Sequence, residues 1–373
     1  MDLETLTCEI KGLVYSYLNQ VKAAEDGRIG SWLDGFGEKD FGSFPLSSYM
    51  YKIGNMRIKN PVVSAPLAGI SDNTFRIFAK FFGCGLTYSE MITSFGLFYN
   101  HKKSMSMAQI TELERPCAVQ IFGSEPDVMA EAAARTEGIA DMIDINMGCP
   151  VPKVLKSGSG GCLLKDIGKA ERIIKAVVSN VGLPVTAKIR LGWDWQSINA
   201  LDMAYAAEAA GAKAIAIHGR TVRQGFSGTA DYSYIKKVKE RVSIPVIASG
   251  DIKSPHTARD VLKYTGCDAI MVGRAAKGSM WLFLDIILGF LGSYKGSAPD
   301  LQWRKKFALA YFNTMIYFKG EEKASREFRK YLSWIFKGQR GISRVKKNFF
   351  TIRSFEDAAV ILDDIKRDVA QPG

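Results

Sequence analysis

The chain has 373 residues, of which 47% are hydrophobic and 24% are charged, and its net charge is +12. These proportions are typical of a soluble globular protein, and the length accommodates one barrel of about 250 residues with additional segments. The six cysteines form no CxxC pair and no Cys/His cluster, which argues against a disulfide scaffold and against a metal site. Acidic residues near the start and the lack of a long apolar run predict neither a secretory signal nor a membrane span. A reducing cytoplasm is the expected location, and no obligate protein partner is evident.

Residues 1–50 are predicted to be an N-terminal helical extension. Apolar residues recur there at helical spacing, and a glycine-rich connection follows them. The recurring positions are Leu6, Ile10, Leu13, Val14, Tyr17 and Val21. This pattern predicts one amphipathic helix but assigns no function to it.

From Pro61 to about Trp281, short apolar runs alternate with segments of helical spacing. The candidate strands are residues 62–66, 86–89, 118–122, 142–146, 185–189, 214–218, 246–249 and 269–272. The candidate helices are residues 73–82, 125–137, 167–180, 198–210, 232–240 and 254–264. Apolar strands separated by helices favour a parallel sheet, and eight such units close into a barrel. The sequence therefore predicts an α/β fold, a (β/α)8 TIM barrel.

The glycine-, serine- and proline-rich residues 292–299 predict a linker, and the rest of the chain has no strong strand signal. The predicted domains are the extension 1–50, the barrel 51–295 and an all-α C-terminal domain 296–373. Between Lys323 and Arg353, ten basic residues accompany the single acid Glu327. Six aromatic residues lie among them: Phe328, Tyr331, Trp334, Phe336, Phe349 and Phe350. This segment is predicted to bind a polyanion, with Arg340, Lys346 and Lys347 as contacts, although a solvated helix face is the alternative.

Polar residues lie where several candidate strands end. Asn146 and Cys149 follow the fourth strand, beside glycine and proline residues that turn the chain. Gln120, Lys188, Arg190 and His218 occupy the ends of other strands. Because the carboxyl ends of barrel strands share one mouth, these side chains are predicted to converge there. An isolated buried cysteine and a buried core histidine are the alternative interpretations for Cys149 and His218.

The loops after the last two strands contain glycine beside charged residues. Ser249, Gly250 and Asp251 follow the seventh strand, and Gly273 and Arg274 follow the eighth. Glycine allows backbone N–H groups to approach an oxyanion, and this is the usual phosphate site of a TIM barrel. The pair of loops therefore predicts a cofactor that bears a phosphate.

Six motifs occur in an order that resembles the bacterial tRNA-dihydrouridine synthases, the B-type branch especially. They are Ala65-Pro66-Leu67-Ala68-Gly69, Asp144-Ile145-Asn146-Met147-Gly148-Cys149-Pro150, Lys188-Ile189-Arg190, His218-Gly219-Arg220-Thr221, Ser249-Gly250-Asp251-Ile252 and Val272-Gly273-Arg274. The resemblance covers about residues 52–360. The chain departs from the family's usual pattern at Leu67, where Met is frequent, at Ser249, where Asn is frequent, and in the extension 1–50.

The resemblance implies an FMN-dependent barrel that reduces uridine in tRNA to 5,6-dihydrouridine with NADPH, followed by a helical tRNA-binding domain. It places Lys188 near the flavin N1/O2 edge and Gln120 on the isoalloxazine ring. The other residues that it assigns to the flavin are Pro66, Leu67, Ala68, Ser249, Gly250, Asp251, Gly273 and Arg274, while Asn146 and Arg190 are assigned to the uracil. His218 is assigned to the flavin or to the uracil.

Reduction of the uracil C5=C6 bond needs a hydride at C6 and a proton at C5, and only the cofactor supplies the hydride. Cys149 is predicted to supply the proton, because a thiol with an ordinary pKa of about 8.5 is protonated at neutral pH. A nucleophilic role would need a paired base, which the sequence does not reveal. The rival functions are another FMN barrel, such as a dihydroorotate dehydrogenase, and a non-enzymatic RNA-binding protein.

Overall fold

The computed structural model describes residues 2–20, 46–294, 296, 298–339 and 342–369. The chain divides into two compact units, one comprising Phe41–Ala275 and the other comprising Met1–Asp40 together with Ala276–Gly373. We refer to them as the barrel unit and the helical unit. The sequence predicts domain limits at residues 50 and 295. These limits stay predictions, because they refer to domains and this division refers to compactness.

The barrel unit is built on eight parallel strands. After a short antiparallel pair, β1 (Tyr51–Ile53) and β2 (Met56–Ile58), they are β3 (Val62–Ser64), β4 (Thr87–Thr93), β5 (Cys117–Phe122), β6 (Met142–Met147), β7 (Val185–Arg190), β8 (Ala214–His218), β9 (Val246–Ser249) and β10 (Ala269–Val272). Their order is β3-β10-β9-β8-β7-β6-β5-β4. The ring closes at a parallel bridge between Val63 and Leu86, where Ser64 N donates to Leu86 O at 3.0 Å. All eight predicted strands are present, and the predicted α/β barrel is confirmed.

Helices connect the strands on the outside of the barrel. They are α2 (Asn73–Phe81), α3 (Ser94–Phe98), α4 (Lys102–Ala108), α5 (Pro126–Ala134), α6 (Pro152–Lys156), α7 (Ile167–Asn180), α8 (Ala200–Ala209), α9 (Ser233–Lys239) and α10 (Pro255–Thr265). The six predicted helices agree with these bounds to within three residues at each end. Capping explains two of the sharp starts, because the side chains of Asp72 and Ser254 accept hydrogen bonds from the first-turn amides of α2 and α10.

The barrel interior is filled largely by small and apolar side chains. Buried residues from the ring pack together with Ile53 and Ile58 of the β1–β2 hairpin, both fully buried. At Gly54, in the turn of this hairpin, φ is +60° and an added Cβ would lie 3.3 Å from Pro184, just before β7. The hairpin therefore covers the amino end of the barrel, and the opposite end is left for the polar residues.

The helical unit contains α1 (Leu3–Gln20), α11 (Leu282–Leu291), α12 (Leu301–Lys319), α13 (Glu321–Ile335), α14 (Ile342–Val345) and α15 (Phe355–Val369). Large aromatic side chains form its core. Phe312 and Phe328 stack with ring centroids 4.2 Å apart, and Trp303 stacks on Phe307 at 5.3 Å. Helix α1 packs on α12, where Trp303 Nε1 donates to Leu13 O at 3.0 Å. The predicted amphipathic helix of the extension is present as Leu3–Gln20 and belongs to this unit, while Val21 and the predicted glycine-rich connection lie outside the described residues.

Candidate active site

Polar side chains from three neighbouring strands form a hydrogen-bonded layer above the apolar core of the barrel. The strand register places Gln120 opposite Asp144, and Asp144 opposite Thr186. Asp144 Oδ2 accepts from Gln120 Nε2 at 2.6 Å, and Asp144 Oδ1 accepts from Thr186 Oγ1 at 2.6 Å. Asn146 Nδ2 completes the chain by donating to Gln120 Oε1 at 2.9 Å. Gln120 is thus held in one orientation, with both ends of its amide engaged.

Asp144 is a buried carboxylate that the sequence interpretation did not single out as a site residue. Burial raises its pKa to about 6, although the hydrogen bonds from Gln120 and Thr186 and the charge of Lys188 act in the opposite direction. The signal was available in the sequence, since an acid interrupts an otherwise apolar strand. Its partners depend on strand register, which the sequence does not specify.

Cys149 lies in the turn after β6, and its thiol is partly exposed. Asn146 Oδ1 accepts hydrogen bonds from Gly148 N at 3.2 Å and Cys149 N at 3.0 Å, so Asn146 fixes this turn. The chain also approaches closely at Gly160, where an added Cβ would meet Cys149 Cβ at 3.1 Å. Burial raises the pKa of Cys149, while Arg190 and Lys188 act to lower it. The thiol is therefore protonated at neutral pH.

Lys188 points from β7 into the same mouth, opposite Asn146 in the strand register. Burial and the nearby charge of Arg190 lower its pKa to about 8, while Asp144 and Cys149 act to raise it. Among the residues that the structure describes, Lys188 has no hydrogen-bond or ion-pair partner at its ammonium group. A half-buried cation without a partner is costly, and an electron-rich ligand would satisfy it.

His218 stands at the end of β8 among four cations: Lys188, Arg190, Arg220 and Arg274. Burial and these charges lower its pKa far below the ordinary value, so the imidazole is neutral. Its Nε2 lies 3.3 Å from Arg220 Nη1. A neutral imidazole can accept or donate one hydrogen bond at each nitrogen according to its tautomer, which suits a polar ligand better than a second positive charge would.

The loop after β8 is tied to the loop after β9 through Arg220 and Asp251. Arg220 Nη2 lies 2.7 Å from Asp251 Oδ2 and donates to Gly228 O at 2.6 Å. Asp251 Oδ2 also accepts from Ala230 N at 2.9 Å. Although burial raises the pKa of Asp251, these hydrogen bonds bring it below the ordinary value. The carboxylate of Asp251 is held within the protein, where it ties the loops after β8 and β9 together.

The predicted phosphate loops lie side by side, because Ser249 at the end of β9 is in register with Met271 of β10. Gly250 and Asp251 have φ of +118° and +47°, which turns the backbone sharply after β9. Gly273 has Ala65 at 3.5 Å as the nearest neighbour of an added Cβ. Arg274, with 43% of its side chain exposed, places its guanidinium 4.3 Å from the ring of Phe226. Phe226, which the sequence interpretation missed, is the platform for this arginine.

The loop after β3 forms another part of the rim. Pro66 and Leu67 are partly exposed and Ala68 is exposed, while Ser71 Oγ donates to Ala65 O at 2.9 Å and accepts from Leu67 N at 2.9 Å. Gly69 N donates to a carboxylate oxygen of Glu90. Glu90 lies in an irregularity of the β4–β5 pairing, which re-aims its side chain toward this loop.

Arg190 is more enclosed than a residue that reaches out to a substrate, with only 3% exposed. Its Nη1 donates to Thr221 O at 2.8 Å and to Gly225 O at 2.7 Å. These two hydrogen bonds hold the loop that follows β8 in place. The structure thus brings Arg190 to the mouth, where its hydrogen bonds go to the protein backbone and its guanidinium lies 5.5 Å from the ring of Phe226.

The basic segment between Lys323 and Arg353 contains buried aromatic residues and, elsewhere, exposed basic residues. Four of its six aromatic residues are buried in the helical core: Phe328, Tyr331, Phe336 and Phe349. The packing role considered for them is therefore observed, and base stacking by these four is excluded. Lys346 and Lys347 are exposed beside Phe350, which is 65% exposed. Arg340 lies outside the described residues.

The family model described as dihydrouridine synthase matches residues 63–370. Over 312 residues the chain is 41% identical to tRNA-dihydrouridine synthase B of Vibrio vulnificus, covering 83% of this chain and 95% of that protein. It is also 40% identical over 322 residues to the protein of that name from Vibrio cholerae, covering 86% and 99%. The chain belongs to the dihydrouridine synthase family. The predicted family and enzyme class are confirmed.

Solved structures of similar fold include histamine dehydrogenase from Rhizobium sp. 4-9, with a TM-score of 0.53 and 12% identity over 71% of this chain and 50% of that one. A 2-naphthoyl-CoA reductase complex has a TM-score of 0.50 and 14% identity over 65% and 52%. At such low identity these matches support the barrel fold alone. Among the residues that the structure describes, no helix combines the length and the hydrophobicity that a membrane span requires.

Proposed function

We propose that this protein reduces uridine in tRNA to 5,6-dihydrouridine, with FMN as its cofactor and NADPH as the reductant. The observation that carries the proposal is the presence of Lys188 and Cys149 at one barrel mouth: Lys188 is half-buried and has no hydrogen-bond or ion-pair partner in the described ranges, and Cys149 is protonated. One group meets an electron-rich ligand and the other holds a proton. A proton donor is required to add hydrogen across an activated double bond, and a nearby cation would stabilise the negative charge that develops.

The residues at the mouth fit FMN. Lys188 would hold an electron-rich edge of the isoalloxazine ring, since a single cation there offsets developing negative charge. Gln120 is fully buried in the layer that Asp144 organises, so it would support the base of the ring's site, while Pro66, Leu67 and Ala68 would lie against the edge of the ring. Bound FMN supplies hydride chemistry that amino-acid side chains lack.

The loops after β9 and β10 would hold the phosphate of the cofactor. Ser249, Gly250, Gly273 and the backbone of Asp251 offer hydrogen-bond donors, and Arg274 adds a positive charge. The four cations around His218 make this side of the mouth electropositive, and one carboxylate, Asp251, offsets part of that charge. An anionic group is therefore favoured here over a neutral one.

Cys149 would deliver the proton to C5 of the uracil. Its raised pKa keeps the proton on Sγ at neutral pH, and the hydrogen bonds from Gly148 N and Cys149 N to Asn146 hold the turn in place. Lys188 and Arg190 would stabilise the thiolate that remains after the transfer, because both already act to lower the pKa of Cys149. The cations thus assist the donor without deprotonating it beforehand.

Asn146, Arg190 and His218 would position the uracil. The side-chain amide of Asn146 donates a hydrogen bond to Gln120 and accepts one from Cys149 N. Its effect on the substrate would therefore be partly indirect. Arg190 would act mainly by supporting the loop after β8. Neutral His218 is the best suited of the three to hydrogen-bond an uncharged base or the flavin.

The RNA would be held partly by the helical unit, through exposed Lys346 and Lys347 together with Arg340. Positive charge on a turn beside the exposed Phe350 is suited to phosphate groups and to an unpaired base. A protein that acted on a free pyrimidine would have no use for this surface.

The proposal is tested by incubating the purified flavin-loaded protein with NADPH and an unmodified tRNA transcript, with free orotate as a parallel substrate. Digestion and mass spectrometry should find dihydrouridine in the tRNA, and orotate should remain unreduced. Lys188→Met should slow flavin reduction or weaken flavin retention, whereas Lys175→Met, on the exposed outer face of α7, should change neither. Reduction of orotate without reduction of tRNA would contradict the proposal.

A further inference from the structure

An exposed row of aromatic rings lies at the rim of the barrel, outside the site described above. It is formed where β4 leads directly into α3 and α4, and therefore at the carboxyl end of the strands. We define the rim patch as Phe95, Tyr99, His101, Lys102 and Lys103. All five residues are exposed.

The three rings of the rim patch stand roughly parallel. Phe95 and Tyr99 have centroids 6.5 Å apart with an interplanar angle of 12°, and Tyr99 and His101 are 6.2 Å apart at 26°. Phe95 is 45% exposed and Tyr99 is 62% exposed. Exposed aromatic residues are usually scattered singly, so a row of three is a feature that calls for a ligand.

The protein holds this row in place rather than leaving it on a loose loop. Phe98 packs edge-on against Tyr99 at 4.9 Å. Asn100 adopts φ of +54°, and its Oδ1 accepts from Arg135 Nη1 of the neighbouring segment at 2.8 Å. The backbone of Asn100 donates to Leu97 O at 2.9 Å. Tyr99 is therefore presented to solvent by a fixed turn.

Positive charge borders the rings. Lys102 and Lys103 occupy the first turn of α4, and within the part of the chain that the structure describes neither forms an ion pair. A cation at the start of a helix opposes the helix dipole, so these lysines are not placed there to stabilise α4. Flat aromatic faces beside uncompensated cations match nucleotides, whose bases stack and whose phosphates are negative.

We infer that the rim patch binds unpaired nucleotides of the substrate RNA, with bases stacking on Phe95 and Tyr99 and phosphates near Lys102 and Lys103. The inference rests on the proposed function, because the RNA must reach Cys149 at the same end of the barrel. An unpaired segment is required, since bases inside a duplex already stack on each other. A protein partner fits less well, because charged residues are depleted in the cores of protein–protein interfaces and two exposed lysines border these rings.

The test compares the affinity of the full-length, flavin-loaded protein for an unmodified tRNA transcript and for a fully paired RNA duplex of equal length. Phe95→Ala combined with Tyr99→Ala should weaken tRNA binding about fivefold or more, the lower end of what one stacked base contributes. The same change should leave duplex affinity unaltered. Tyr99→Phe, which keeps the ring, should retain the affinity of the parent for tRNA. Tyr205→Ala removes a tyrosine that is 42% exposed on α8 and should have no effect.

The possible outcomes distinguish a failure of this inference from a failure of the proposed function. If the parent forms dihydrouridine in tRNA while the double variant binds tRNA as tightly as the parent, the rim patch does not contact the RNA. If both RNAs lose affinity equally in the double variant, stacking is also excluded, because the effect would not depend on unpaired bases. If the parent neither binds nor reduces tRNA, the proposed function and this inference are both overturned. Crosslinking of a 4-thiouridine-labelled tRNA to the peptide that contains Tyr99 would support the inference directly.

Discussion

The two units of the molecule each bury a carboxylate, but they use it differently. In the barrel unit, Asp144 accepts hydrogen bonds from Gln120 and Thr186 and orients groups at the mouth. In the helical unit, Asp285 of α11 accepts a hydrogen bond from Tyr17 of α1. Burial raises the pKa of Asp144 to about 6 and that of Asp285 to about 7. The first carboxylate organises a site, and the second joins two distant parts of the chain.

The surroundings of these carboxylates explain the difference. Against the effect of burial, hydrogen bonds from Gln120 and Thr186, together with the charge of Lys188, lower the pKa of Asp144, so the barrel carboxylate can remain ionised at neutral pH. Asp285 has only the hydrogen bond from Tyr17 to oppose the effect of burial. Buried polarity in the barrel is therefore part of a charged network that continues into the mouth. In the helical unit it is a single link between helices in an aromatic core.

The largest expected effect lies in the barrel. Cys149→Ala should retain FMN and its reduction by NADPH, while reduction of tRNA falls about 10²-fold or more, the usual scale for loss of a general acid. Cys162→Ala is the matched control, because Cys162 is also partly exposed in the segment after β6. The measurement is single-turnover oxidation of the reduced flavin by tRNA. An unchanged rate in the Cys149 variant would remove this residue from the mechanism.

The corresponding change in the helical unit should alter stability and leave barrel chemistry intact. Tyr17→Phe leaves the buried Asp285 without its hydrogen bond, which should cost about 1–3 kcal/mol. The ring still packs beside Trp303, whose centroid is 5.3 Å away, so the change isolates the hydroxyl group. Hydrogen exchange of the α1 amides should become faster, and NADPH oxidation by the flavin should not change. Equal exchange rates in variant and parent would show that the pair contributes little.

The titration of Asp285 should also contribute to the pH dependence of the stability of the helical unit. Its pKa is raised from 3.8 to about 7 on folding, so the protonated form favours the folded state. This contribution is fully present below about pH 4 and is lost as the pH rises through about 7. Asp285→Asn keeps an acceptor for Tyr17 and removes the titration. The stability of α1, from hydrogen exchange corrected for intrinsic rates, should therefore fall less between pH 5 and 8 in this variant than in the parent.

A smaller effect is expected at the phosphate loops of the barrel. Arg274→Ala should weaken FMN retention about tenfold, toward the lower end for a charged hydrogen bond because 43% of this side chain is exposed. Arg223→Ala removes an arginine that is 70% exposed on the nearby β8 loop and should retain the flavin fully. Flavin occupancy after serial dilution is the measurement. Equal occupancy in all three proteins would place the phosphate elsewhere.

The sequence predicted the barrel more completely than the helical unit, and the reason is physical. Strands buried on both faces appear as short apolar runs, and residues at their ends reach one mouth because the strands are parallel. Cys149, Lys188 and His218 could therefore be assigned to the mouth without knowledge of any contact. The β1–β2 hairpin was missed because each of its three-residue strands buries a single side chain, so it shows neither a period nor the apolar run by which the equally short β3 was predicted.

Contacts that depend on register or on distant packing could not be predicted. The bonds of Asp144, the reach of Glu90 to Gly69 and the stacking of Arg274 on Phe226 each need the relative positions of two segments. The same holds in the helical unit, where Tyr17 meets Asp285 across more than 260 residues. Aromatic residues near positive charge looked equally suited to packing and to stacking, and only the structure shows that most of them form the core.

The smallest expected effect is at the exposed lysines of the helical unit. Lys346→Gln with Lys347→Gln should raise the dissociation constant for tRNA and reduce its salt slope by about 2, because each lost phosphate contact removes about one released counterion. Adding a change at Arg340 should reduce the slope further. A double variant of exposed Lys175 and Arg172 on the barrel helix α7 is the control for net charge. Since Lys346 and Lys347 belong to the helical unit and the proposed flavin site is built from residues of the barrel unit, NADPH oxidation by the flavin should be unaffected. A slope equal to that of the parent would mean that Lys346 and Lys347 are only a solvated surface.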